Sequence, residues 1–169
     1  MATIQSFITI ERPREEVFGY FLHLDENVPR TNPDVEFVVA TAGDESGAGT
    51  TFRARSRALG RVRDTTMRFT DVVPNREIRF EAEVGPIRPT GRFTFDSTEG
   101  GTRVTFRGEP NPVGVFKLAT PIFLLIGRRV WRERLARAKA ALEASGSTRA
   151  RVSRSCRSRS SARCRPRSP

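Results

Sequence analysis

Arg63 and Thr65 stand two residues apart in a run that continues through Met67 and Phe69. In an extended chain that spacing puts all four on one face. Across a tight turn at Gly60, Ser56 shares the face, with Ala54 and Phe52 beyond it. A guanidinium in that setting would hold a carboxylate, phosphate or enolate oxygen through a two-pronged contact. The hydroxyls of Thr65 and Ser56 would help to polarise a carbonyl. The competing reading is physical too: burying an unpaired arginine costs several kcal/mol, so Arg63 belongs at the sheet rim, reaching water near the turn.

Other chemistry thins out quickly. His23 is the single histidine, so a cluster of histidine metal ligands cannot form within one chain, and it would have to serve any Ser/His/Asp arrangement alone. It follows the first helix and is expected in solvent. Asp64 and Asp71 differ in position relative to the Thr65–Phe69 strand and make no carboxylate pair for acid–base work. Gly47-Ala48-Gly49 reads as a hairpin connection, not a phosphate loop. Cys156 and Cys164 lie together in the C-terminal segment and read as free thiols. No metal and no cofactor is expected.

The elements that position these residues follow from periodicity. Thr3 to Ile10 reads as a strand with Ser6, Ile8 and Ile10 on one face. Pro13 stands where a helix would begin, and Glu15 and Glu16 complement its dipole. Val17, Phe18, Phe21 and Leu22 follow at helical spacing. Pro29 and Pro33 predict a break in regular helix over 27–33. The period then becomes 2. Val35, Phe37 and Val39 mark one strand. Phe52, Ala54, Ser56 and Ala58 alternate with Arg53, Arg55 and Arg57, a cationic ladder expected on the convex face and paired with acids of neighbouring strands. Ile78, Phe80, Ala82 and Val84, then Gly91, Phe93 and Phe95, then Val104 and Phe106, continue the alternation between Gly, Pro and Asn turns. Trp131, Leu135, Ala138 and Leu142 form the apolar stripe of a last, long helix. Upstream of it, Val115 to Ile126 is apolar nearly all round, with Pro121 as a kink or a helix start.

The fold class is therefore α+β. A curved antiparallel sheet of about seven strands grips a long C-terminal helix, with one or two short helices after the first strand. Six of the twelve Phe, namely Phe52, Phe69, Phe80, Phe93, Phe95 and Phe106, fall on the concave face. Such a face supports either a dry core or an apolar pocket.

The chain has 30 Lys and Arg against 19 Asp and Glu, but the excess is local. Residues 145–169 hold eight Arg, eight Ser and no acid, which leaves 22 basic against 19 acidic residues over 1–144, a net of +3. The sequence thus divides into a folded unit, 1–144, and a tail, 145–169, expected to be disordered because it offers too little apolar surface to offset ordering entropy. Such a tail would bind polyanions weakly and non-specifically. An inert extension and a translated out-of-frame end are the other readings. The longest strictly apolar run, Ile122 to Ile126, is far short of the ~20 residues of a membrane span. Met1 to Gln5 shows no basic segment followed by an apolar one. The expectation is a cytoplasmic protein without a transmembrane segment.

Several weak motifs occur in order: Ile8-Thr9-Ile10-Glu11-Arg12-Pro13-Arg14-Glu15-Glu16-Val17-Phe18, Asn32-Pro33-Asp34-Val35, Gly47-Ala48-Gly49-Thr50, Pro74-Asn75-Arg76, and Gly100-Gly101-Thr102-Arg103-Val104-Thr105. Over residues 3–143 this pattern resembles the START-like (SRPBCC, helix-grip) superfamily, and within it the polyketide cyclase/dehydratase and lipid transport family. Many members carry Trp just before the Asn-Pro segment, where this chain has Thr31. The resemblance implies a deep cavity between sheet and helix for lipids, polyketides, sterols or hormones. On that basis the expected ligand-binding residues are Phe52, Ala54, Ser56, Arg63, Thr65, Met67, Phe69, Phe80, Phe93, Phe95 and Phe106 of the sheet. Leu118, Ile122 and Leu125 are expected to face them from the helix. The function read this way is binding of a small hydrophobic ligand, lipid- or polyketide-like. The alternative is an aromatase/cyclase or dehydratase-type enzyme using Arg63 with Thr65 or Ser56. A third reading is an interaction protein that uses the basic tail.

Overall fold

Alternating sequence becomes antiparallel sheet in the computed structural model, which describes residues 3–33, 35–58 and 61–160, with the backbone alone over 145–160. The strands are β1 (Ile4–Ile10), β2 (Val35–Thr41), β3 (Thr51–Ala58), β4 (Arg61–Val73), β5 (Glu77–Val84), β6 (Thr90–Thr98) and β7 (Gly101–Glu109). They lie in the order β1-β7-β6-β5-β4-β3-β2 in one seven-stranded sheet. The helices are α1 (Arg14–Leu22), α2 (Leu24–Thr31) and α3 (Thr120–Ser160), with a short 3-10 helix at Gly114–Ala119. The turn at Gly60 expected from the sequence lies outside the described residues.

Two bulges bend the sheet and reset its parity. One falls between Val35 and Phe37 of β2, the other between Phe69 and Asp71 of β4. A bulge adds one residue to one strand, so side chains beyond it change face. In β2 this overturns the single-face reading of Val35, Phe37 and Val39. Val35 pairs with Ser56 and Val38 with Ala54, so the inward residues are Val35 and Val38, while Val39 is exposed. In β4 the same device buries both Phe69 and Val72.

The expected break over 27–33 is also corrected. α2 runs through Pro29 to Thr31. Proline lacks one donor, and near the end of a short helix that loss removes a single bond. Side chains add hydrogen bonds of their own along α2: Asn27 donates from Nδ2 to the carbonyls of Tyr20 and His23, and Thr31 donates from Oγ1 to the carbonyl of Asn27. His23, at the junction of α1 and α2, is exposed.

The convex face carries cross-strand ion pairs, as the alternation requires. Arg55 bonds Asp64 at 2.9 Å, Arg68 approaches Glu81, and Arg79 stands between Glu77 and Asp71. The Arg55 guanidinium holds the Asp64 carboxyl below the usual carboxylate range. These pairs are solvated and contribute little each. The Arg57 side chain lies outside the described residues.

α3 runs alongside β1, which it caps as an edge strand. Gly127 allows the closest approach, since a Cβ there would stand 2.3 Å from Ile4 Cδ1. Farther on, Lys139 donates from Nζ to the Thr9 carbonyl, and the Arg12 guanidinium donates to the carbonyls of Leu142 and Glu143. The Glu11 amide donates to Glu143 Oε1, and buried Thr102 donates from Oγ1 to the Arg12 carbonyl. Pro121 falls in the first turn of α3, where its missing donor costs nothing. The backbone of α3 is helical through Ser160. Extending a formed helix adds a hydrogen bond per residue without a new nucleus, and arginine is a good helix former. Residues 161–169 lie outside the described residues.

Two measurements check this account. Gly101 has φ of 140° and would place a Cβ 2.1 Å from the Ile10 carbonyl oxygen. Gly101→Ala is therefore expected to cost about 2–4 kcal/mol in urea unfolding, and a loss under about 1 kcal/mol would contradict this packing of β1 against β7. Cutting the chain after Ala144 is expected to move the melting temperature by no more than a few degrees, because 145–169 has only Val152 as a large aliphatic side chain. A larger drop would show that this segment packs on the fold.

Candidate functional site

The concave face is unequally filled. On β5, β6 and β7 the inward residues are large: Phe80, Phe93, Phe95 and Phe106 are all buried. Phe18 and Phe21 of α1 add edge-on contacts to Phe95 at 5.3 and 5.5 Å. Trp131 of α3 lies nearly parallel on Phe106 with ring centroids 3.8 Å apart, and it meets Phe93 edge-on at 5.5 Å. That end is a solid aromatic core. Toward the β3–β4 hairpin the inward residues shrink to Ala54, Ser56 and Thr65. A cavity of about 370 Å³ remains there, between these residues, α2 and α3.

The cavity has three walls. The sheet supplies Val38, Phe52, Ala54, Ser56, Thr65, Met67 and Phe93. α2 and the residue after it supply Leu24, Val28, Thr31 and Asn32, and the start of β2 supplies Val35. α3 supplies Val130, Trp131, Leu135 and Ala138 toward the sheet, with Glu133, Arg134 and Arg137 toward the opening. Tyr20 closes the α1 end, its hydroxyl 3.1 Å from Thr31 Oγ1. Burial pushes the Tyr20 pKa above the ordinary phenol value, and the Thr31 hydroxyl opposes this. Thr31, which stands where the resembling family often has Trp, thus leaves space at the rim and fixes Tyr20 by a hydrogen bond.

The expected site residues divide into three groups. Phe52, Ala54, Ser56, Thr65, Met67 and Phe93 come together on the cavity wall. Phe69, Phe80, Phe95 and Phe106 are buried behind it in the aromatic core. Arg63, Leu118, Ile122 and Leu125 are elsewhere. Arg63 pairs in register with Ser56 but is exposed, two residues nearer the hairpin end than Thr65. Leu118 is 91 % exposed, Ile122 60 % and Leu125 72 %. The stripe through Leu124, Gly127 and Trp131 turns toward the fold, so Ile122 and Leu125 turn away from it. The apolar start of α3 is therefore not a cavity wall.

Sequence reasoning missed the α2 wall, Val35, Val38 and the arginines of α3. Leu24 and Val28 are four residues apart, a helical signal that the two prolines obscured. Nothing in the alternation announces the β2 bulge. The run of small inward residues, Ala54, Ser56 and Thr65, was legible and is what empties this end of the face.

A curved antiparallel sheet closed by a long helix over an internal apolar cavity defines a helix-grip protein. The chain matches, over residues 1–145, the family described as polyketide cyclase / dehydrase and lipid transport, and it belongs to that family. The START-like resemblance is borne out. Among solved structures it is similar to protein CV1439 from Chromobacterium violaceum, with 17 % identity and a TM-score of 0.64 over 85 % of this chain and 99 % of that one. It is similar also to TTHA0849 from Thermus thermophilus, with 21 % identity and a TM-score of 0.65 over 85 % and 98 %. The di-domain ARO/CYC StfQ from the steffimycin biosynthetic pathway shares 16 % identity and a TM-score of 0.66, over 86 % of this chain and 52 % of that one. At these identities the likeness is one of fold. A search of curated proteins found no match. Among the described residues no helix is long and apolar enough to cross a membrane.

Trp131 is the chain's single tryptophan, and it seats α3 on the sheet. Trp131→Ala is expected to destabilise the fold by about 3 kcal/mol, read from chemical unfolding followed by circular dichroism. A cost below about 1 kcal/mol would mean that other contacts position the helix.

Proposed function

We propose that this chain binds a small hydrophobic ligand, lipid- or polyketide-like, in the cavity between the sheet, α2 and α3, for carriage or sequestration. The observation that carries this reading is the cavity of about 370 Å³, walled mainly by apolar side chains and opening beside α3. That volume lies within the range of small-molecule sites, which run to roughly 300–1,000 Å³. Family membership supports the same class of function.

The cyclase reading draws on three cavity hydroxyls, Ser56, Thr65 and Tyr20, which could orient a carbonyl-rich chain. It loses Arg63, the residue assigned to polarise the carbonyl, to solvent. Glu133, the one carboxylate on the described cavity wall, sits 3.1 Å from Arg129 and faces no second acid there. General acid–base work by a carboxylate pair therefore has no support. Carriage is the better reading.

The basic segment 145–169 is proposed as a weak, non-specific arm for polyanions, separate from the cavity. A cytoplasmic location is proposed with it.

Trp131 on the cavity wall supplies the readout. Nile red, a neutral apolar probe, is expected to bind at micromolar concentration, to change Trp131 fluorescence, and to bind with negative heat-capacity change. Ala54→Trp should weaken that binding more than tenfold while leaving the fold largely intact, because it fills empty space. If instead the wild-type protein binds no probe and Ala54→Trp loses about 1–3 kcal/mol of stability, the face is solid and both carrier and cyclase readings fail.

A further inference from the structure

The opening of the cavity is mainly cationic, with Arg134 and Arg137 beside one acid, Glu133. Arg134 and Arg137 stand three residues apart on α3, on the side turned toward α2. Arg137 donates from Nη1 to Asn32 Oδ1 at 2.8 Å, bridging α3 to the segment after α2. Its other guanidinium donors have no protein acceptor among the described residues. The Arg134 guanidinium carbon is 5.2 Å from the centroid of the Trp131 ring, and no described carboxylate reaches it within 4.0 Å. Glu133, on the same wall, is engaged by Arg129 through a 3.1 Å hydrogen bond.

From this geometry we infer that the ligand is an amphipathic anion, its apolar body in the cavity and its oxyanion head, carboxylate or phosphate, held at the mouth by Arg134 and Arg137. Two like charges a helical turn apart repel, and an anion between them would relieve that repulsion while accepting charge-assisted hydrogen bonds from both. Arg134 is exposed as a residue, yet the protein around its guanidinium and the neighbouring charge of Arg137 hold its pKa below the ordinary arginine value. The Trp131 ring sits where cavity and mouth meet. The Arg134 cation lies over its face and Phe93 meets it in a T-shaped contact, so it joins the apolar and charged parts of the site.

This inference rests on the hydrophobic-ligand reading, and the experiment separates the two. Dodecanoate, dodecyl phosphate and 1-dodecanol are titrated into the full chain at pH 8 and low salt, each followed by calorimetry and Trp131 fluorescence. The same titrations are made on Arg134→Gln, Arg137→Gln and Arg134→Lys, after their melting temperatures are shown to match the wild type. The anions are expected to bind about tenfold more tightly than the alcohol. Arg134→Gln and Arg137→Gln should each remove most of that preference, while alcohol binding changes less than twofold. Arg134→Lys should restore part of it, and added salt should weaken anion binding alone. A preference for dodecanoate over dodecyl phosphate, or the reverse, identifies the head group. Equal binding of alcohol and anions by the wild type, or anion binding unchanged in both glutamine variants, overturns the inference and leaves the cavity reading standing. Failure of all three ligands to bind overturns both.

Discussion

Trp131 lies flat on Phe106, and the rest of the structure depends on that contact. A sheet whose concave face is lined by phenylalanine must be covered, since each such ring left in water forgoes roughly 1.5–3 kcal/mol of burial. One helix covers a strip about 10 Å wide, narrower than a seven-stranded sheet. Where the helix lands therefore decides which part of the face becomes core and which becomes cavity. The stacked ring sets the landing place over β6 and β7, and the Arg12, Lys139 and Glu143 contacts hold the far end against β1. With α3 committed there, the β3–β4 side can be closed only by α2.

That division gives the cavity its chemistry. Its floor is small and weakly polar, Ala54, Ser56 and Thr65, which leaves volume without demanding a particular hydrogen-bonding partner. Its titratable groups stand at the margins: Tyr20 at one end, tied to Thr31, and Glu133, Arg134 and Arg137 of α3 at the opening. Charge at the rim and apolar surface within suit a ligand that is held by its body and oriented by its end. The ion pairs of the convex face, such as Arg55–Asp64 and Arg68–Glu81 across neighbouring strands, are separate from this and turned toward solvent.

A second apolar surface lies outside the cavity. Val115, Leu118, Ile122, Leu125 and Ile126 are more than half exposed around the start of α3. Their apolar run made them look like cavity wall in sequence, because hydrophobicity reports the wish to be buried and not the place of burial. The facing of a helix is set by its strongest contact, and here that contact is one or two turns further on, at Trp131 and Leu135.

The sequence by itself determined the class of fold. Period-two alternation through Phe52, Phe80, Phe93 and Phe106, the turns between them, and the +4, +3, +4 stripe from Trp131 to Leu142 are local properties that survive any reasonable packing. Only the tertiary structure decided where the empty space lies. The β2 bulge that turns Val35 and Val38 inward, the helix that persists through Pro29, and the exposure of Arg63 and Leu125 depend on contacts between segments far apart in the chain. A cavity is a difference between the volume a sheet encloses and the volume side chains fill. Alternation supplies the side chains, but the enclosing shape exists only once α2 and α3 have settled on the sheet.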